Sequence, residues 1–192
     1  MTQNPFELFA KWYDELKATA VKEPTAMTLA TASASGKPSS RIVLLKHFDE
    51  KGFVFYTNSL SRKGTELTEN PNAAISFFWM DLMRQVRIEG AVEAVKGQEA
   101  DDYFASRALE SRIGAWASLQ SQKLSGKMEL MKRVAEFGIK FGVNPPRPPH
   151  WHGYRLVPNY FEFWNEGAFR LHERNCFERQ PDGSWADFKL NP

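Results

Sequence analysis

Met27-Thr-Leu-Ala-Thr-Ala32, the turn Ser35-Gly-Lys-Pro38, Arg41-Ile-Val-Leu-Leu-Lys46, the turn Asp49-Glu-Lys-Gly52 and Phe53-Val-Phe-Tyr-Thr57 follow one another along the chain. Short apolar runs punctuated by Gly, Pro and Asp clusters predict three strands joined by tight turns. Upstream, Phe6, Phe9, Trp12, Tyr13 and Leu16 recur at helical spacing over residues 5–20, with Asn4 as N-cap and Pro5 in the first turn. Downstream, Ser61 caps a short helix over 61–70, and Ala73 to Met80 and Met83 to Val95 form a strand pair around Asp81-Leu82. Helical patterns follow over 98–108 and 125–141. Beyond the rigid loop Asn144-Pro-Pro-Arg-Pro-Pro149, strand character returns at Gly153 to Val157, Tyr160 to Trp164, Arg170 to Arg179 and Trp185 to Leu190. Roughly eight strands without regular βαβ alternation predict an α+β chain that is mainly β. The expected architecture is an antiparallel barrel with appended helices, in a single domain over residues 1–192.

Composition narrows the function. Hydrophobic residues make up 42% and aromatics 14% of 192 residues, enough to bury a core without disulfides or structural metal. Lys plus Arg number 25 against 23 Asp plus Glu, a formal charge of +2, so no broad basic field exists for a nucleic-acid backbone. An anion bound here is small and locally held. Cys176 stands alone, which excludes an internal disulfide and fits a reducing compartment. Met1 to Phe6 carries no basic region followed by an apolar core, and no run of about 18 apolar residues occurs. The expectation is a cytoplasmic protein with no membrane or nucleic-acid partner.

Neither G-x-G-x-x-G nor G-x-x-x-x-G-K-[ST] occurs, which argues against a Rossmann or P-loop site. Basic and amide residues at strand ends stand in their place. Arg41 and Lys46 lie at opposite ends of one apolar run and, on a two-residue period, face opposite sides; the alternative is that both solubilise strand ends. Ser61-Arg-Lys63 opens a helix whose free N–H groups and two cations suit a phosphate, or form a plain N-cap. Tyr103, Arg107 and Ser111 share one helix face if the helix runs past Ala108. A phenol, a guanidinium and a hydroxyl together suit a phosphate monoester, against the alternative of a solvated face with a snorkelling Arg. On a strand, Arg170, His172 and Arg174 point to one side beside Trp164 and favour a planar anionic ligand over a bare edge. His150 and His152 lack carboxylate or thiolate neighbours, so no metal site is expected. No G-x-S-x-G elbow occurs.

Taken together, Arg41-Ile-Val-Leu-Leu-Lys46, Phe55-Tyr-Thr-Asn58, Ser61-Arg-Lys63, Arg84-Gln-Val-Arg87, Ser111-Arg-Ile-Gly-Ala-Trp116, Gln120-Ser-Gln122, Arg170-Leu-His-Glu-Arg174 and the closing Leu190-Asn-Pro192 are similar, in order and spacing, to pyridoxine (pyridoxamine) 5′-phosphate oxidases. The likeness runs over nearly the whole chain from Pro5. It implies an FMN-binding split β-barrel, a homodimer with FMN at the subunit interface, and a dimerisation and substrate region over about 150–192. The flavin contacts it implies are Arg41, Ile42, Val43, Leu44, Leu45, Lys46, Tyr56, Thr57, Arg62, Lys63, Gln85, Gln120, Ser121, Trp164 and Arg174. The substrate phosphate would meet Lys46, Tyr103, Arg107 and Ser111, with Arg170 and His172 facing the pyridine ring as the catalytic pair.

The activity the resemblance implies is oxidation of pyridoxamine 5′-phosphate or pyridoxine 5′-phosphate by O2 to pyridoxal 5′-phosphate, with H2O2 released. The alternatives are a related split-barrel flavin oxidase of the phenazine type, whose substrate carries no phosphate, and a non-catalytic flavin or pyridoxal-phosphate carrier. This sequence departs from the family pattern at Glu173, commonly Asp, and at Trp151-His-Gly153, more usually Trp-Gly-Gly. It also begins close to the opening helix, without the longer arm that reaches over the substrate in some members.

Overall fold

Asn4 accepts the Phe6 N–H on its side chain and starts helix α1, Pro5–Lys17, in a computed structural model that describes residues 4–95 and 97–192. One stripe of α1 buries Phe6, Leu8, Phe9, Trp12, Tyr13 and Leu16, each apolar side chain worth roughly 1.5–3 kcal/mol when removed from water. Phe9 is fully buried, its ring centroid 4.9 Å from those of Phe48 and Phe53 and 5.3 Å from that of Phe77. The helix thereby plugs the open side of a curled sheet.

Among the described residues that sheet has nine antiparallel strands: β1 (Ala26–Ala32), β2 (Pro38–Leu44), β3 (His47–Asp49), β4 (Gly52–Asn58), β5 (Asn72–Trp79), β6 (Arg84–Ala94), β7 (Trp151–Asn165), β8 (Glu173–Arg179) and β9 (Trp185–Leu190). The order is β2-β1-β5-β6-β7-β4-β3, with β8 and β9 continuing from β7. Among the described residues five α-helices are attached: α1, α2 (Arg62–Glu69), α3 (Gly97–Ser106), α4 (Leu109–Ala117) and α5 (Lys127–Phe141). This is the mainly β split-barrel architecture expected from the sequence.

Strand β7 makes the split. It pairs with β6 along most of its length, while its other edge pairs with β4 over Trp151–Leu156 and with β8 over Tyr160–Asn165. From the sequence, Pro158-Asn159 separates two strands. The chain instead stays extended through Pro158: the register shift between Glu89 and Gly90 leaves Asn159 unpaired, and a Pro is tolerated beside such a bulge.

Two further expectations are corrected. Strand β2 ends at Leu44, so the alternation that put Arg41 and Lys46 on opposite faces stops before Lys46. The helix over 98–108 does not run on to Ser111: α3 ends at Ser106 and Ala108 takes extended angles before α4. The short strand β3 lay unread inside the Lys46 to Asp49 connection.

Candidate functional site

A cavity of about 480 Å³ opens between β2, β4 and the α3–α4 junction, within the range usual for small-ligand sites. Arg41, Ile42, Val43 and Leu44 from β2 and Lys46 beyond it form one wall. Tyr56 and Thr57 of β4, Lys63 of α2 and Gln120 form another, and Tyr103, Arg107, Ala108 and Ser111 close the third. Leu45 is 3% exposed and belongs to the core rather than the cavity. A second hollow of about 260 Å³ shares Tyr56, Thr57, Arg107, Ser111, Gln120 and Trp151 with the first.

The α2 end of the cavity is built for an anion. Ser61 caps the helix, and the Arg62 N–H donates to Ser121 Oγ at 3.1 Å, fastening the 120–121 segment over the first turn. Lys63 is buried, and its ammonium donates to Gln120 Oε1 at 2.7 Å, Thr57 Oγ1 at 3.2 Å and Ser61 Oγ at 3.4 Å. Only neutral oxygens receive those bonds. Burial, with the nearby charge of Arg41, pulls the Lys63 pKa down to about 8. Glu66, 5% exposed, receives Arg41 and Arg62; burial pushes its pKa up, but hydrogen bonds from Ser39, Thr31 and Arg62 outweigh this and hold it at about 2.

At the other end, Trp151 lines the cavity, a site residue beyond those expected from the sequence. Its ring stacks on Tyr56 at 4.9 Å, Tyr56 stacks on Tyr103 at 4.3 Å, and the Arg107 guanidinium lies 5.0 Å from the Trp151 ring centroid. Gly153 makes the stack possible: a Cβ there would lie 2.6 Å from Tyr56 Cε1. The signal was the Trp-His-Gly start of β7, whose Gly153 falls opposite Tyr56 in register. Burial lowers the Arg107 pKa, and Arg107 Nη1 is buried without a hydrogen-bond partner. An orphaned guanidinium N–H on a cavity wall fits an anionic ligand.

The remaining expected site residues form a separate group. Gln85, Trp164 and Arg174 lie side by side across β6, β7 and β8, and His172 packs its ring 4.7 Å from Trp164. The buried Glu162 carboxylate accepts from Arg174 Nε at 3.0 Å, Arg174 Nη2 at 2.9 Å and Arg87 Nη1 at 3.2 Å. Its pKa, raised by burial, is brought below the ordinary value by Arg174 and Arg87. Arg170 and His172 precede β8 rather than lying on it. Phe169 and Arg170 take left-handed angles (φ 56° and 64°), so the alternation expected for Arg170, His172 and Arg174 does not apply. His172 Nδ1 accepts the Gly167 N–H at 3.3 Å, which leaves Nε2 as the proton-bearing nitrogen of the neutral ring. None of Gln85, Trp164, Arg170, His172 or Arg174 lines the cavity of Arg41 and Arg107.

Comparison with known proteins matches residues 14–140 to the family described as pyridoxamine 5′-phosphate oxidase, and residues 151–192 to the pyridoxine 5′-phosphate oxidase C-terminal dimerisation region. A Caulobacter vibrioides protein named pyridoxine/pyridoxamine 5′-phosphate oxidase is 56% identical over 191 residues, covering 99% of this chain and 86% of its own. The structure of PhzG from Burkholderia lata, in complex with tetrahydrophenazine-1-carboxylic acid, is 35% identical with a TM-score of 0.93, covering 98% of this chain and 93% of that one. A pyridoxamine 5′-phosphate oxidase-related, FMN-binding protein from Nostoc punctiforme aligns over 100% of both chains with a TM-score of 0.78 at 16% identity, a likeness of fold.

Proposed function

The chain belongs to the pyridoxamine 5′-phosphate oxidase family and is an oxidoreductase, and from that premise we propose that it oxidises pyridoxamine 5′-phosphate, pyridoxine 5′-phosphate or both to pyridoxal 5′-phosphate with FMN and O2. The observation that carries this reading is the corner formed by Lys46, Tyr103, Arg107 and Ser111, where a buried guanidinium N–H lacks a partner. A phosphate monoester near neutral pH carries close to two negative charges, and two cations with two hydroxyls complement it.

The flavin phosphate would be held at the start of α2 by Arg41, Arg62, Lys63, Gln120 and Ser121, with Tyr56 and Thr57 as further flavin contacts. Bound there, FMN supplies the hydride acceptor for the substrate C4′ carbon and the route to O2, with H2O2 as the second product. The protein's part is to position the ring and to stabilise charge at the reacting carbon. Arg170 would place its cation over the pyridine, and His172 would offer its Nε2–H to the ring hydroxyl. The Gln85, Trp164 and Arg174 group stands apart from the cavity, which supports a homodimer in which each FMN meets both subunits. On this reading residues 1–192 act as one domain, with the last forty or so carrying dimerisation and substrate contacts.

The likeness to PhzG keeps a phenazine-type oxidase as the second reading. Tetrahydrophenazine-1-carboxylic acid offers one carboxylate and no phosphate, and so leaves donors at the Arg107 corner unpaired. Such unpaired buried donors cost on the order of 2–5 kcal/mol. Peroxide release measured with pyridoxamine 5′-phosphate and with pyridoxamine tests the choice: kcat/KM should favour the phosphorylated amine by roughly thirty- to several-thousand-fold. Arg107→Ala should remove most of that preference while FMN content stays intact, and Arg107→Lys should restore only part of it, because an ammonium lacks the two-pronged geometry. Equal kcat/KM for both amines contradicts the assignment.

A further inference from the structure

A buried carboxylate stands where the proposed flavin phosphate should meet only cations. Glu66 is 5% exposed, and on charge alone it opposes an anion bound beside Arg41 and Arg62. Both of its oxygens are nevertheless hydrogen-bonded. Oε2 accepts from Thr31 Oγ1 at 2.5 Å, Ser39 Oγ at 2.6 Å and Arg41 Nη2 at 3.4 Å, while Oε1 accepts from Arg62 Nε at 2.8 Å.

The direction of these bonds matters. Each hydroxyl has one proton, and Thr31 and Ser39 both commit theirs to Glu66. Their lone pairs are then free to accept, and Arg41 donates to both, through Nη1 to Thr31 Oγ1 at 2.6 Å and through Nη2 to Ser39 Oγ. Arg41 Nη1 also reaches the Leu29 carbonyl at 3.2 Å. The carboxylate therefore orders a polar net that ties Arg41 on β2 to β1 and to α2. An amide at the same place has its own protons to give and reverses part of the net. With Arg41, Arg62 and Lys63 positive and Glu66 negative, the local balance is about two positive charges, the complement of a phosphate dianion.

We propose that Glu66 is a positioning residue for the flavin phosphate: it holds Arg41 on the cavity wall and Arg62 at the start of α2, and thereby sets the preference for FMN over unphosphorylated riboflavin. This rests on the FMN reading above. Simple electrostatics gives the opposite expectation, since deleting a negative charge beside an anion site should tighten FMN.

The test is the ratio of riboflavin Kd to FMN Kd, read from flavin fluorescence quenching by the full chain freed of its flavin. A misfolded variant loses both ligands, so riboflavin binding within about twofold of the unmodified protein reports an intact ring site. Glu66→Gln is expected to lower the ratio about tenfold or more through weaker FMN binding, as loosened charge-assisted bonds would. Ser39→Ala removes one link of the net at a half-exposed position and is expected to lower the ratio about threefold, so it carries the test if Glu66→Gln does not fold. An unchanged or larger ratio in either folded variant overturns the role of Glu66. A ratio near one in the unmodified protein, or no FMN binding at all, instead defeats the FMN reading on which the role rests.

Discussion

Lys63 is the residue whose chemistry is most exposed to measurement. Burial and the charge of Arg41 bring its pKa to about 8 from an ordinary value of 10.5, and its hydrogen bonds run only to neutral oxygens. Between pH 8 and 10.5 the unfolded chain holds a proton that folded, flavin-free protein has released, so the Lys63 contribution to stability rises with pH across that window. A phosphate dianion beside the amine restores the proton, so FMN binding should take one up there. FMN affinity should therefore fall as pH rises above 8. In Lys63→Met, FMN should bind more weakly at neutral pH and lose this component of the pH dependence; equilibrium titrations across the window check it, and an identical slope in the variant would assign the dependence elsewhere. The Ser61 cap is legible in the chain, and Ser-Arg-Lys at a helix start suggests an anion site, although such a start is as readily a plain N-cap. Glu66, four residues beyond Arg62, is not legible, because a carboxylate in a helix usually reads as a solvated i,i+4 partner and only burial shows otherwise.

At the scale of elements, what could be read from the chain was whatever is periodic. Helix α1 announced itself through Phe6, Phe9, Trp12, Tyr13 and Leu16, all of which are buried. Connections were harder, because no period distinguishes Lys46 at the end of a strand from Lys46 just past it, nor Arg107 within a helix from Arg107 at a break. The break serves the site: Tyr103 and Ser111 come from two helices, with Arg107 between them, and all three line one cavity. The meeting of β4 and β7 matters equally, since Gly153 lets the Tyr56 ring pack in one near-parallel group with Trp151 and Tyr103. Gly153→Ala would set a methyl 2.6 Å from Tyr56 Cε1 and 2.8 Å from Val95 Cβ. Overpacking of this sort costs about 1–3 kcal/mol, so the variant should melt several degrees lower. Because Arg107 rests on the same aromatic group, KM for pyridoxamine 5′-phosphate should rise as well. A variant with unchanged Tm and KM would show that the stack is not needed.

For the molecule as a whole, the expected ligand contacts fall into two groups that a single chain does not bring together, one around Arg41, Lys63 and Arg107, the other around Gln85, Trp164 and Arg174. The periods of strand and helix carry no trace of this division; only the family resemblance implied a site shared between two copies. If each site takes one group from each subunit, Arg107→Ala and Arg174→Ala damage opposite halves. Mixed dimers of the two variants then contain one undamaged site and one doubly damaged site. Co-expression of the two, both nearly inactive alone, should return activity to the mixed species, and mixed dimers that stay inactive would place both groups in one subunit's site. We propose that this chain passes two electrons from a phosphorylated vitamin B6 amine or alcohol to bound FMN. The most direct test is the visible absorbance of the purified flavoprotein, mixed without oxygen with pyridoxamine 5′-phosphate or, separately, with pyridoxamine. The oxidised flavin band should fade rapidly with the phosphorylated amine and change little with the other; a band that persists in both, or fades equally in both, rules out this electron transfer.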